Sequence, residues 1–293
     1  MGISKHPSVV TMPKAERPCP SILDFLSKRF PAISRETWEE RISEGKVLDE
    51  KAQRISLDTE YAPMKRIYYF REVGTEPSIP FTEKILHVDR DILVACKPHF
   101  LPVTPGGRYV DECLLNRLRN GTGIEDLAPL HRIDRETAGL VLFSVNKKSR
   151  GLYGKLFMDG LVEKTYQALS ACQPLQETAS WDVANRIERG EPWFRMKTVP
   201  GRVNARSAIH LVEIKGALAR FVLQPQTGKT HQLRLHMSGL GFGILNDRCY
   251  PVLQAEGEDD FHTPLQLVAQ RLRFRDPLSA QIREFASERP LLW

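Results

Sequence analysis

One short stretch gathers groups that can act together on a substrate: His131-Arg132-Ile133-Asp134-Arg135-Glu136-Thr137-Ala138-Gly139-Leu140. It runs directly into apolar residues that continue to Val145. A carboxylate set just ahead of a buried strand, with Arg132 and Arg135 beside it, stays ionised at neutral pH. Held rigidly, such a group serves as a nucleophile or steadies a developing positive charge. The same residues also fit a surface ion-pair loop that caps the strand, because charge clusters of that kind are common. Alone, the stretch leaves both readings open.

Other spacings exclude chemistries. His131, His231 and His236 lack the HExxH arrangement and have no cysteine nearby, so no metal site is expected. Gly228-Lys229-Thr230 imitates the end of a P-loop, but position 223 is Leu223 rather than glycine, which removes a nucleotide triphosphate site. Gly239, Gly241 and Gly243 follow a predicted helix rather than a strand and read as a turn, not as a dinucleotide fingerprint. No cofactor is expected. The cysteines, Cys19, Cys96, Cys113, Cys172 and Cys249, are scattered and show no C-x-x-C pair, as suits a reducing compartment.

These residues need elements to position them. Apolar runs and alternation predict strands over 92–96, 140–145, 164–170, 208–214 and 219–223. Helices are predicted over 111–120, 147–159 and 230–238, the second with Leu152, Leu156 and Phe157 as its apolar stripe. Strands and helices do not alternate regularly, so the class is α+β rather than a doubly wound sheet. Tyr166 on its strand reads as a half-buried aromatic, and Arg234 on its helix as an exposed cation. Residues 1–20, with Pro7, Pro13, Pro18 and Pro20, read as an irregular lead-in. A small α/β unit over 21–75 follows, with helices capped by Ser21 and Ser34 and strand pieces at 46–48 and 66–70. Residues 74–80 form a linker, and the main domain spans 81–293.

At 41% hydrophobic residues the chain can bury a sizeable core, and its formal charge of +6 favours polyanionic partners. The densest apolar run, 139–145, is too short to span a bilayer. The first twenty residues hold no continuous apolar stretch of the kind a signal peptide needs, and a cytoplasmic location is expected.

Four ordered blocks carry a resemblance. The stretch from His131 to Leu140 resembles the signature loop of the RluA-like RNA pseudouridine synthases. Ile92-Leu93-Val94-Ala95-Cys96-Lys97-Pro98 with Leu101-Pro102-Val103 looks like the family's opening strand and Lys-Pro turn. Glu163-Lys164-Thr165-Tyr166-Gln167-Ala168 is similar to its tyrosine strand, and the run from Thr227 to His236 to its T-G-[RK]-x-H-Q block. Asp247 with Tyr250, and Pro264 to Leu267, match closing segments. Departures are Ala138 for serine, Lys229 for arginine, Asn246 for glycine and Val268 for histidine.

The resemblance implies a catalytic domain with a mixed, largely antiparallel central sheet and no cofactor. It implies Asp134 as nucleophile, Tyr166 stacked on the uracil, and Arg234 paired with Asp134. Arg132 would fill the space left by a flipped uridine, a step expected because a stacked base cannot present its reacting atoms. His131, Arg135, Lys164, Lys229 and His231 would contact RNA, ribosomal or transfer, with the protein acting as a monomer. The unit over 21–75 resembles a degenerate alpha-L RNA-binding module, in which Lys28 and Arg35 could meet phosphates. Two other classes compete: a catalytically silent RNA-binding protein retaining the fold, and a glycoside hydrolase pairing Asp134 with Glu136.

Overall fold

The computed structural model of the chain describes residues 2–3, 7–15, 18–171, 179–255 and 257–292; Cys172 lies outside them. The chain divides into two compact units, Met1–Pro77 with Gly107–Asp111, and Ser78–Gly106 with Glu112–Trp293.

In the first unit the elements are β1 (Gly2–Ile3), β2 (Ser8–Thr11), α1 (Ile22–Arg29), α2 (Arg35–Ser43), β3 (Val47–Leu48), β4 (Arg66–Tyr69) and β5 (Glu72–Val73). Both helices start where capping chemistry places them: Ser21 accepts from the Asp24 amide, and Ser34 from the Thr37 amide. Trp38, Leu26, Val47 and Ile67 are buried together, with the Trp38 and Tyr69 rings edge to face. The irregular lead-in is corrected here, because Ser8–Thr11 pairs antiparallel with β4. Pro7 and Pro13 flank this strand rather than interrupt it, so no ladder donor is lost within it.

The second unit carries β6 (Lys84–Val88), β7 (Ile92–Lys97), α3 (Leu114–Thr122), β8 (Ala128–Pro129), β9 (Ala138–Ser144) and α4 (Arg150–Met158). Next come β10 (Glu163–Ala171), β11 (Ala179–Arg189), β12 (Met196–Val199), β13 (Ala205–Lys215) and β14 (Leu218–Pro225). Last are α5 (Gln232–Gly239), β15 (Leu267–Arg275) and β16 (Ile282–Ala286). One sheet runs in the order β12-β11-β13-β14-β10-β15-β9-β7-β6, with β16 on β15 and β8 on β9. Among the described residues only the β9–β15 pair is parallel. The sheet is thus mixed and largely antiparallel, as expected.

The central strands β7 and β9 are buried along their whole length, which is why both read as unbroken apolar runs. Strand β15 was not predicted, because Arg271 and Arg273 interrupt its apolar pattern. Their side chains instead form ion pairs with Glu284 on β16 and Glu163 on β10. The predicted stripe on α4 is also corrected. Tyr153 and Leu156 are buried, while Leu152 is 47% exposed. The helix begins at Arg150, and the Tyr153 hydroxyl, donating to Asp276 at 2.8 Å, sets its rotation.

Gly139 is fixed by two constraints. Its φ is +111°, and an added Cβ would lie 2.2 Å from the Ala269 carbonyl oxygen on β15. Gly139→Ala is therefore expected to destabilise the protein by more than about 1 kcal/mol, since strain and clash act together. Urea unfolding checks this, and an unchanged midpoint would mean that β9 and β15 can part at no cost.

Candidate active site

The loop between β8 and β9 is pinned through its backbone. Lys97, wholly buried at the end of β7, donates from Nζ to the carbonyls of Pro98 (2.9 Å), Leu101 (2.6 Å) and Arg135 (3.0 Å). Burial pulls its pKa down to about 7, with Glu136 and Asp134 opposing the shift. His99 Nδ1 donates to the Glu136 carbonyl at 2.6 Å. The Leu142 amide donates to His131 Nε2 at 3.0 Å, and the His131 ring stacks on Phe157 at 4.6 Å.

With the loop held from behind, the Asp134 side chain meets a cleft of about 530 Å³. Arg132, Lys164, Tyr166, Lys229, His231 and Arg234 line the same cleft. Asp134 Oδ2 lies 3.6 Å from Arg234 Nη1 and 4.0 Å from His231 Nε2. Among the described residues its carboxylate accepts no hydrogen bond. Tyr166 sits on β10 at a bulge in the pairing with β15. Burial, reinforced by the Asp134 charge, pushes its phenol pKa well up, so the hydroxyl keeps its proton.

Arg234 is not the exposed helix cation that the sequence allows, being 2% exposed. Its main partner is also not Asp134. Nε and Nη2 donate to Asp247 at 2.8 and 2.6 Å, leaving Nη1 buried, without a hydrogen bond, and turned towards Asp134. Burial disfavours the charge, yet the Asp247 carboxylate more than offsets it and raises the arginine pKa. Asp247 in turn accepts the Cys249 and Tyr250 amides. Asn246 just before it has φ +62°, a conformation glycine takes freely and asparagine tolerates, so this departure keeps the turn.

Two expected RNA contacts are corrected. Arg135 binds Asp259 through both terminal nitrogens at 2.8 Å and Glu136 through Nε at 2.9 Å, fastening the loop instead of facing the cleft. His131 lines the cleft, but its ring nitrogen serves the Leu142 amide and burial keeps it neutral, so it offers no charge to a phosphate. In the first unit, Arg35 is taken up by Asp24 and Glu39. Arg41 and Lys46 are taken up by Glu72. Lys28 is exposed, with no carboxylate partner among the described residues.

Asp247 and Gln232 carried no role in the sequence reading. Buried Gln232 accepts from Thr227 Oγ1 and the Lys229 amide and donates to the Arg206 carbonyl and Ser207, shaping the cleft rim. Its signal was the polar residue beside His231 in the T-G-[RK]-x-H-Q block.

A family model for RNA pseudouridylate synthase matches residues 91–239. The dual-specificity RNA pseudouridine synthase RluA of Pasteurella multocida is 31% identical over 228 residues, covering 73% of this chain and 95% of that protein. The chain belongs to the RNA pseudouridylate synthase family. An uncharacterized RNA pseudouridine synthase of Synechocystis sp., slr1592, is 28% identical over 234 residues, covering 78% of this chain and 79% of its own. The fold is shared with human RNA pseudouridylate synthase domain containing 1. That structure superposes with a TM-score of 0.58 at 22% identity, over 74% of this chain and 87% of the other. This RluA-like synthase is an isomerase with RNA as its substrate class.

Acid should unsettle the synthase through buried imidazoles. Burial lowers the pKa of His131 to about 3 and of His99 and His236 to about 4. Unfolded histidines protonate near pH 6.5. The unfolded state therefore binds more protons between pH 6.5 and about 4, and stability falls as pH drops through that window. Unfolding free energy measured against pH is expected to show the decline, with a shallower slope in His131→Gln. Equal slopes would contradict a neutral, buried His131.

Proposed function

We propose that the synthase converts a uridine in ribosomal or transfer RNA to pseudouridine without a cofactor, using Asp134 as nucleophile on a base flipped into the cleft. One observation carries this reading. Asp134 is a carboxylate at the cleft surface with no hydrogen-bond donor among the described residues, set 3.6 Å from a buried, unsatisfied guanidinium nitrogen. A carboxylate whose oxygens are free of hydrogen bonds, facing a fixed guanidinium, is held in place and open to attack a substrate.

The reaction breaks the N1–C1′ bond, turns the uracil over and joins C5 to C1′, after which the C5 proton leaves. Asp134 adds to C1′ or to C6, that bond is broken again before the product leaves, and N1 ends protonated as C5 gives up its hydrogen, so the net change is an isomerisation. Tyr166 offers a protonated phenol and a ring face to the uracil, and Lys164, Lys229 and Arg132 are placed to meet phosphates. Arg132 is exposed at the cleft, with no carboxylate partner among the described residues, which fits entry into a helix where the base has left.

Among the described residues no three His, Cys, Asp or Glu side chains gather as metal ligands. Tritium release from RNA carrying 5-tritiated uridine is accordingly expected to survive exhaustive EDTA treatment with no nucleotide added. Loss restored by a single metal would overturn the cofactor-free reading. Pseudouridine mapping in cells lacking the protein identifies the modified position.

A further inference from the structure

The hairpin of β11 and β12 holds most of the molecule's excess charge. Residues 186–206 contain six arginines and lysines against two glutamates, in a chain whose formal net charge is +6. The stem pairs Arg186 with Val199 through Arg189 with Met196. Arg186 is neutralised by Glu188, and Arg195 lies over the Tyr250 ring at 5.0 Å. Arg189, Lys197, Arg202 and Arg206 are exposed, with no carboxylate partner among the described residues.

At the hairpin tip stands Trp193, 72% exposed, with the Phe194 ring edge-on beside it at 6.0 Å. Next to it opens a groove of about 260 Å³ bounded, among others, by Glu191, Arg195, Lys197, Leu235, Tyr250 and Pro251. The Tyr250 hydroxyl ties this groove to the catalytic cleft, lying 3.0 Å from His231 Nδ1 and accepting the Met196 amide at 2.7 Å.

We propose that this hairpin is a second RNA-contact surface, which stacks one unpaired base of a single-stranded segment on Trp193 and holds its phosphate backbone with Lys197 at the groove. An uncovered indole gains from a planar partner, and base stacking on aromatic side chains needs no particular sequence. A protein partner would meet an apolar centre depleted of charge, whereas the hairpin that carries this indole has six arginines and lysines against two glutamates over 186–206. Continuity with the cleft through Tyr250 lets one RNA strand occupy both places. The inference rests on the family's RNA substrate and is independent of the role given to Asp134.

The test uses the full chain and a fluorescently labelled oligoadenylate of about twelve nucleotides, near the upper site sizes of single-strand binding folds. Lacking uridine, it binds without turnover. Trp193→Ala is expected to weaken binding about 5- to 150-fold, and Trp193→Phe to restore most of the affinity. Lys197→Gln should make the log–log salt dependence shallower by about 0.7. Both tryptophan variants should fold, since the indole packs little. Asp134→Asn should bind oligoadenylate as the wild type does, whatever its turnover, which separates this surface from the catalytic reading. Equal affinities for wild type and Trp193→Ala would overturn the proposal. So would a change in self-association, seen by sedimentation, in Trp193→Ala with unchanged oligoadenylate binding, because the indole would then serve a protein contact.

Discussion

Replacing Asp134 with asparagine is expected to lower kcat for tritium release by at least about a thousand-fold, the scale seen when a group that acts in the transition state is removed. RNA affinity should stay within a few-fold. The two expectations follow from different contacts. The loop's shape depends on Lys97 holding the Arg135 carbonyl, His99 holding the Glu136 carbonyl, and Arg135 holding Asp259. None of these uses the Asp134 carboxylate, so asparagine leaves the loop in place and removes only the charge and the attacking oxygen. In the proposed reading RNA binding draws on Lys164, Lys229 and Arg132, which the substitution does not touch. Turnover within tenfold of wild type would rule out Asp134 as nucleophile; lost affinity with preserved kcat would make it a binding residue.

The largest expected loss of stability follows from Asp247→Ala, at about 3–5 kcal/mol, because it strands a buried guanidinium. The Arg234 and Asp247 side chains are 2% and 1% exposed. The same substitution frees the Cys249 and Tyr250 amides, which adds to the loss. Arg234→Met with Asp247→Leu should regain much of the stability, since an apolar pair of similar size removes both charges together, yet remain inactive. Arg234→Lys should keep charge without the two-donor fork and recover only part of the rate. Urea unfolding and tritium release together decide the point. Wild-type stability in Asp247→Ala would show that water replaces the carboxylate, and full activity in the double variant would remove Arg234 from the reaction.

The residues brought to the cleft were legible through the blocks that resemble the RluA-like family, whereas by pattern alone Tyr166 read as a half-buried strand aromatic and Arg234 as an exposed helix cation. Asp134 precedes the apolar run of β9, Tyr166 lies in β10, and Arg234 lies in α5. Partners were less legible. Arg135 neighbours Asp134 in the chain, which suggested a shared role, but the loop turns its side chain to Asp259, 124 residues away. Asp247 lies 13 residues beyond Arg234, across a turn whose left-handed position is filled by Asn246 rather than a telltale glycine. The strand Ser8–Thr11 was hidden because four prolines outweighed its β-branched valines and threonine. Strand β15 was hidden because cross-strand ion pairs do the work that apolar alternation does elsewhere.

The parallel pairing of β9 with β15 has a consequence for biosynthesis. Ala138 and Gly139 meet Val268 and Ala269, partners that leave the ribosome about 130 residues later. Arg135 waits similarly for Asp259. Contacts of such sequence separation form slowly, since long loops must close before any pairing rewards them. A nascent chain that has emerged only as far as α5 therefore carries the full signature loop, the tyrosine and the arginine, yet has no assembled site. Competence arrives with the last strands.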